Sequence, residues 1–219
     1  MPGPAPGGQD LIMIEESRGA RRTVARTALT AAPLCMLAYG LIRLSDPEHG
    51  PGFAWVADHL ALVAGVLLFG VVFLDLHRRT KPAGRAGRWS AGTATVLGLA
   101  GTLAVTAQAV IDIVVALRSA DRAGMDRLFE QIQSHPGVTP AVYSVGPLLF
   151  YVGLLWLVGQ LSVQHRASFW CPLLIGLGIV TMAASLDFIP VGSALFFAAF
   201  VALGREGAVR AVAGSPSGA

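Results

Sequence analysis

Long apolar stretches, separated by short loops rich in arginine, are the feature of this sequence that most restricts its fold. They cover 27–45, 57–76, 93–117, 140–163 and 170–203. A helix needs about 20 apolar residues to cross the hydrocarbon core of a bilayer, which is about 30 Å thick. Charged residues make up only 13% of the chain, whereas soluble domains usually contain about 25%. The pattern predicts an all-α, polytopic membrane helix bundle.

The last apolar run, 170–203, is long enough for two spans if its helix breaks just before Pro190. Proline has no backbone donor and disfavours helix at the residue before it, so a hairpin is expected there. We therefore predict about six transmembrane helices. Five, with one long or re-entrant last segment, is the alternative count. The bundle is predicted to cover 23–205, between flexible cytoplasmic tails at 1–22 and 206–219.

The distribution of positive charge predicts the orientation. If six spans leave both termini inside, twelve of the 16 Lys and Arg residues lie in the cytoplasm. The other four, Arg43, Arg118, Arg122 and Arg127, lie outside. Cytoplasmic loops of membrane proteins carry an excess of Lys and Arg, so the chain is expected in the cell membrane as a multi-pass protein with both termini cytoplasmic. The same rule accounts for the net charge of +3, and no nucleic-acid partner is expected. The preference for Arg over Lys is typical of a GC-rich bacterial genome.

The second outer loop carries a helical pattern of its own. In the stretch SADRAGMDRLFEQIQSH, Met125, Leu128, Phe129 and Ile132 recur at helical spacing, opposite charged positions. Such a pattern is typical of an amphipathic helix. We expect it to lie on the membrane surface or to cap the bundle.

Three carboxylates lie in or beside the apolar runs, all near the predicted outer side: Asp58, Asp112 and Asp187. A charged side chain at the centre of a membrane helix costs about 2.5–3.5 kcal/mol on the insertion scale, so such residues usually face the bundle interior or a wet cavity. We predict that the three form a polar, catalytic site. A structural role is the alternative for each: an interhelical contact for Asp112, a helix-dipole contact for Asp58 and a turn cap for Asp187.

The third run places its acid on a face of small residues. Gly101, Ala104, Gln108 and Asp112 follow one another at spacings of three, four and four, which puts them on the same side of a helix. An amide and a carboxylate on such a face are expected to point into the bundle, where Gln108 would orient Asp112 or share its proton. A buried carboxylic acid that keeps its proton can act as a donor in catalysis.

Further polar and aromatic residues are candidates for substrate binding. Besides Gln108, they are His59, Tyr143, Tyr151 and Phe188. Aromatic faces attract cations, although packing and interfacial anchoring also place aromatic residues in membrane helices. Pro147 lies between the two tyrosines and is expected to kink its helix and open the outer half.

Motifs of several chemistries are absent from the sequence. It contains no DDxxD diphosphate motif, no HExxH, no CxxC, no Walker A loop and no GxSxG. Its five histidines are scattered over both sides of the predicted membrane, so neither haem nor zinc ligation is indicated. No metal and no cofactor are therefore expected.

The layout of residues 20–205 resembles the small integral-membrane terpene cyclases of bacterial indole-sesquiterpenoid pathways. The residues that carry the resemblance are Asp58 in WVADHLAL, Asp112 in TAQAVIDIVV and Asp187 in ASLDFIP. It implies a metal-independent cyclisation in secondary metabolism, in which an acid protonates an alkene or epoxide of a lipid-soluble prenylated substrate. Two alternatives come from other classes: a proton-coupled transporter that uses Asp112, and a non-catalytic membrane partner in which the acids only join helices.

Overall fold

The computed structural model of the protein describes residues 8–80 and 84–213, and this part of the chain consists of helices joined by short loops, without strands. The α-helices are α1 (Gly8–Ser45), α2 (Phe53–Arg79), α3 (Gly84–Arg118), α4 (Arg122–Gln133), α5 (Gly146–Val163), α6 (Trp170–Ala184) and α7 (Ile189–Ala213). A π-helical segment, Thr139–Val145, precedes α5, and a 3₁₀ turn, Leu186–Phe188, separates α6 from α7. The predicted all-α class is confirmed.

In the described part of the chain, five helical stretches are long and apolar enough to cross a membrane: Gly19–Ser45, Phe53–Arg79, Gly84–Arg118, Thr139–Val163 and Leu186–Arg205. The sixth apolar helix, α6, has only 15 residues. At 1.5 Å per residue it is about 22 Å long, shorter than the hydrocarbon core. The predicted break before Pro190 is confirmed, because α6 ends at Ala184 and α7 begins at Ile189.

The first helix begins earlier than the sequence pattern predicts. It starts at Gly8, so residues 8–22 of the predicted tail are helical. Within the predicted tail, prolines occur only at positions 2, 4 and 6. Good helix formers dominate the residues that follow, so the helix can begin soon after the last of these prolines. Likewise α7 continues to Ala213. The remaining parts of the two predicted tails, 1–7 and 214–219, lie outside the described residues.

The six apolar helices are arranged in a closed ring. Going around the ring, α1 packs on α2, α2 on α3 and α3 on α5. The ring continues with α5 on α6 and α6 on α7, and α7 packs on α1. Contacts between α2 and α5 cross the ring. Fully buried phenylalanines fill its interior: Phe69, Phe73, Phe196 and Phe200, with Phe150 almost as buried. Their rings meet edge-on or tilted, at centroid distances of 5.1–6.4 Å.

Small residues let α3 approach α5 closely. A Cβ atom on Gly101 would lie 2.2 Å from the backbone nitrogen of Phe150, and one on Gly153 would lie 2.5 Å from that of Gly98. Ala104 faces Gly146 in the same way. The small-residue face of the third run is therefore turned toward the bundle, as predicted, and it brings Asp112 into the interior, where the residue is 8% exposed.

Candidate proton-transfer site

The buried histidine and the buried acidic residues of the bundle interior meet at one end, the end that is predicted to face outward. There α1 and α3 finish, and α2 and the π-helical segment begin. The second turn of α2 supplies Asp58 and His59, both 3% exposed, and α3 supplies Asp112. Two adjacent helices thus bring a histidine and two carboxylates together in an otherwise apolar bundle.

His59 lies between the two carboxylates. Its Nδ1 is 2.5 Å from Asp58 Oδ1 and 2.8 Å from the carbonyl oxygen of Trp55. Its Nε2 is 3.3 Å from Asp112 Oδ2. Both ring nitrogens therefore face oxygen atoms. We call this group, Asp58, His59 and Asp112, the acid–histidine cluster.

The arrangement fixes how many protons the cluster needs. A neutral imidazole has one N–H, and an ionised carboxylate can only accept. A neutral His59 can donate from only one of its two nitrogens. The other nitrogen can then form a hydrogen bond only if the carboxyl group that it faces carries a proton. The contacts are satisfied either by an imidazolium or by a carboxylic acid beside a neutral imidazole. In both cases the cluster holds a proton between a nitrogen of His59 and a carboxyl oxygen.

Two aromatic residues hold the imidazole in place. The indole of Trp55, one turn before His59 on α2, stacks on the imidazole with a centroid distance of 4.7 Å. It also donates from Nε1 to the carbonyl oxygen of Asp112, at 3.1 Å. Tyr39 of α1 meets the imidazole edge-on at 5.6 Å. Trp55 therefore fixes both His59 and the backbone that carries Asp112.

The π-helical segment brings a hydroxyl group to the same place. Tyr143 lies in it, and its hydroxyl is buried beside the Asp112 carboxylate, although the geometry is not that of an ordinary hydrogen bond. Pro147 removes one backbone donor from the first turn of α5. The chain just before it is wound more widely than an α-helix, and π-helical turns often occur at functional sites. A π-helical segment therefore precedes Pro147, and the predicted kink and opening of the outer half stay predictions.

The amphipathic segment of the outer loop covers this end of the bundle. It forms α4, and Met125 is fully buried against Trp55 and Val115. Leu128, Phe129 and Ile132 pack partly buried on the same group. Asp121 caps the helix by accepting from the backbone N–H of Gly124, at 2.7 Å. Of the two predicted positions, capping the bundle is the one observed.

The other predicted site residues are not part of the cluster. Gln108 is half-buried on α3, one turn before Asp112, and its side chain makes no hydrogen bond within the described part of the chain. Asp187 and Phe188 are exposed on the 3₁₀ turn, where the backbone N–H of Asp187 donates to Ser185 Oγ. Tyr151 lies two helical turns beyond Tyr143, and its hydroxyl is 3.7 Å from the sulfur of Met182. The roles predicted for these residues stay predictions.

Trp55 and Tyr39 were not among the predicted site residues. A signal for Trp55 was present, because it lies four residues before His59 and therefore on the same face of α2. Tyr39 carries no local signal, since its contact with His59 depends on how α1 packs against α2.

The possible metal-ligand atoms of the cluster do not converge on one point, because the two nitrogens of His59 contact different carboxylates. Among residues 8–80 and 84–213, no three His, Cys, Asp or Glu side chains form a group that could hold a metal ion.

Comparisons of the chain with protein families, with characterised proteins and with solved structures gave no match. The fold and the site therefore define the protein by themselves: an all-α polytopic helix bundle with five helices that could span a membrane and a buried acid–histidine cluster at one end.

Proposed function

We propose that the protein is a membrane-embedded, metal-independent terpene cyclase that uses the acid–histidine cluster to isomerise a lipid-soluble prenylated substrate. The observation that carries this proposal is the position of His59, with a carboxylate at each ring nitrogen in a buried, apolar setting. In this proposal the cluster holds the proton that starts the reaction.

Asp112 is the best candidate for the proton donor. Its side chain is 11% exposed, against 4% for Asp58 and 3% for His59, so it is the member of the cluster closest to open space. The buried Tyr143 hydroxyl lies beside it, without an ordinary hydrogen-bond partner among the described residues. In this proposal His59 returns a proton to Asp112 after each turnover, and Asp58 holds the imidazole in position.

The chemistry needs no other reactant. Asp112 gives its proton to a terminal alkene carbon, and an internal double bond attacks the resulting cation and closes a ring. The final cation loses a proton to the cluster, so the product is an isomer of the substrate. Trp55, Tyr39 and Tyr143 present aromatic rings near this path, and aromatic rings stabilise cations by about 2 kcal/mol or more in dry sites.

The surroundings favour an apolar substrate. On α3 the residues Val110, Val114 and Leu117 are exposed on the surface of the bundle, next to the turn that carries Asp112. A molecule that partitions into the bilayer would meet this surface first. This supports a prenyl chain as the reacting part of the substrate.

The test is product formation in proteoliposomes that receive 3-farnesylindole or its terminal epoxide, without metal or nucleotide. Wild type should yield a cyclised isomer. Asp112→Asn keeps the volume but removes the transferable proton, and general acid–base catalysis is typically worth about 10²–10⁴-fold in rate. Turnover should fall by that factor, whereas Glu130→Gln, the same change at an exposed position of α4, should leave it unchanged.

A fully active Asp112→Asn variant would exclude this residue as the acid. If wild type forms no isomer from either compound, the cyclase proposal is wrong. Movement of the compounds across vesicles under a pH gradient would then support the transporter.

A further inference from the structure

A second polar feature lies directly above the acid–histidine cluster. It is a pocket of about 400 Å³ at the same end of the bundle, lined by Arg43, Glu48, His49, Trp55 and Arg122. We call it the arginine pocket. Two of the four arginines on the predicted outer side thus line one cavity, at an end of the molecule where positive charge is otherwise sparse. The lining holds two arginines and one acid, Glu48, and Arg122 also forms an ion pair with Asp126, at 3.2 Å.

Two nitrogen atoms of this lining are buried and have no hydrogen-bond partner among residues 8–80 and 84–213: Arg43 Nε and His49 Nε2. Buried polar groups are almost always paired, and each that is not calls for an explanation such as a ligand. The other ring nitrogen of His49 is 2.9 Å from the carbonyl oxygen of Pro47, so it carries a proton and donates. Nε2 then accepts from a ligand O–H or, once protonated, donates to a ligand oxygen.

The backbone holds this histidine in an uncommon conformation. His49 has φ of 48°, in the left-handed region that only a few per cent of residues other than glycine adopt. Its carbonyl oxygen accepts a hydrogen bond from Arg122. Residues in such conformations persist only where the surroundings enforce them, and they cluster at functional sites. The hydrogen bond from Arg122 to the carbonyl oxygen of His49 therefore fixes both residues in the lining of the pocket.

Each arginine also contacts one of the two aromatic residues that pack on His59. The guanidinium of Arg122 lies 5.9 Å from the centroid of the Trp55 ring, and Arg43 interacts with the Tyr39 hydroxyl one turn earlier on α1. One aromatic layer thus separates the arginine pocket from the acid–histidine cluster.

We infer that the arginine pocket binds a phosphate group. Arginine presents several N–H donors in a planar fork that matches phosphate oxygens. A monoprotonated phosphate also carries an O–H, which satisfies His49 Nε2 in its neutral form, whereas a carboxylate has no such donor. The phosphate belongs either to a molecule that enters from water or to the headgroup of a membrane lipid.

The experiment uses the full-length protein in nanodiscs of phosphatidylcholine, titrated by calorimetry with inorganic phosphate and with decyl phosphate. Loss of one charge-assisted contact should weaken binding by about tenfold or more, so Arg43→Gln and Arg122→Gln should each raise the Kd by that factor. Arg127→Gln makes the same change at an exposed position of α4 outside the pocket, and the Kd should stay within about twofold of wild type.

Nanodiscs that contain phosphatidic acid distinguish the two sources. If the lipid headgroup fills the pocket, added decyl phosphate binds in phosphatidylcholine discs but not in discs that contain phosphatidic acid. If the ligand comes from water, decyl phosphate binds equally in both kinds of disc. The inference is overturned if neither compound binds in phosphatidylcholine discs, or if all three arginine variants bind like wild type. Equal thermal unfolding of the variants is the check on folding. No turnover is needed, so this result is independent of the proposed cyclisation.

Discussion

At the residue scale, His59 is the residue on which the cluster depends. Neighbouring residues of a helix do not normally face each other, yet the imidazole of His59 contacts Asp58 as well as the carbonyl oxygen of Trp55. It thereby separates two carboxylates that would otherwise repel each other in an apolar interior. Its contact with Asp112 adds a polar link between α2 and α3 to the packing of the two helices.

Replacement of His59 by alanine should therefore destabilise the bundle. It leaves Asp58 and Asp112 buried without their common partner, and breaking a buried ion pair costs about 3–5 kcal/mol. We expect a loss near the lower end of that range in the free energy of unfolding, measured by denaturant titration in detergent micelles. His135→Ala, at an exposed position, is the matched control and should have little effect.

A second variant isolates the contribution of charge. Asp112→Asn removes one of the two carboxylates, so the double variant of His59→Ala and Asp112→Asn should be more stable than His59→Ala alone. If the two changes are simply additive, the histidine and the carboxylate are not coupled and the cluster is only a packing contact.

At the element scale, the interface between α3 and α5 positions Asp112 against Tyr143. The helices touch where Gly98 meets Gly153, with backbone against backbone. Such close approach requires small residues, as is common between membrane helices. The geometry of the site thus depends on residues that take no part in its chemistry.

Gly153→Ala should push these helices apart. The new Cβ would lie 2.5 Å from the backbone nitrogen of Gly98, and overpacking typically costs about 1–3 kcal/mol. Both the free energy of unfolding and cyclase turnover should fall. Gly159→Ala in the same helix is the control, since a Cβ there meets nothing within 4 Å and alanine favours helix by about 1 kcal/mol. Equal stability of the two variants would contradict the observed packing.

Local patterns predicted the elements better than the site. Three correct predictions depend only on local features of the sequence, namely a proline or the helical spacing of a few residues. They are the break before Pro190, the amphipathic α4 and the buried face around Asp112. The contact of His59 with Asp112 depends on the axial register of α2 against α3, which is set where Phe73 packs onto Gly98. That register, and with it the roles of Trp55 and Tyr39, is a property of two helices together. Asp187 was grouped with the other acids because it lies at the same level, but the 3₁₀ turn leaves it exposed.

At the scale of the whole molecule, the acid–histidine cluster and the arginine pocket occupy the same end of the bundle. The excess of Lys and Arg at the other end predicts that this end faces outward. The opposite end has its own ion pair, between Asp75 and Arg79 at 2.6 Å, and Arg166 donates to the backbone there. The two ends thus differ in chemistry, and the orientation decides from which side a ligand enters.

Reporter fusions test that orientation. A reporter fused after Arg88 should behave as cytoplasmic, and one fused after Glu130 as external, because the arginine-rich loop and α4 lie at opposite ends of α3. Reversed labelling would place the cluster and the pocket at the cytoplasmic face, where prenylated metabolites are made.

The central claim, that the cluster starts a reaction by giving a proton to carbon, is tested most directly by cyclisation of 3-farnesylindole in D₂O. Protonation of the terminal alkene forms a new C–H bond from a proton that exchanges with solvent through the cluster. The account predicts a cyclised product with one deuterium at the carbon that was protonated first, formed about 10²–10⁴-fold more slowly by Asp112→Asn. A cyclised product without carbon-bound deuterium, or a labelled product that Asp112→Asn forms at the wild-type rate, would contradict it.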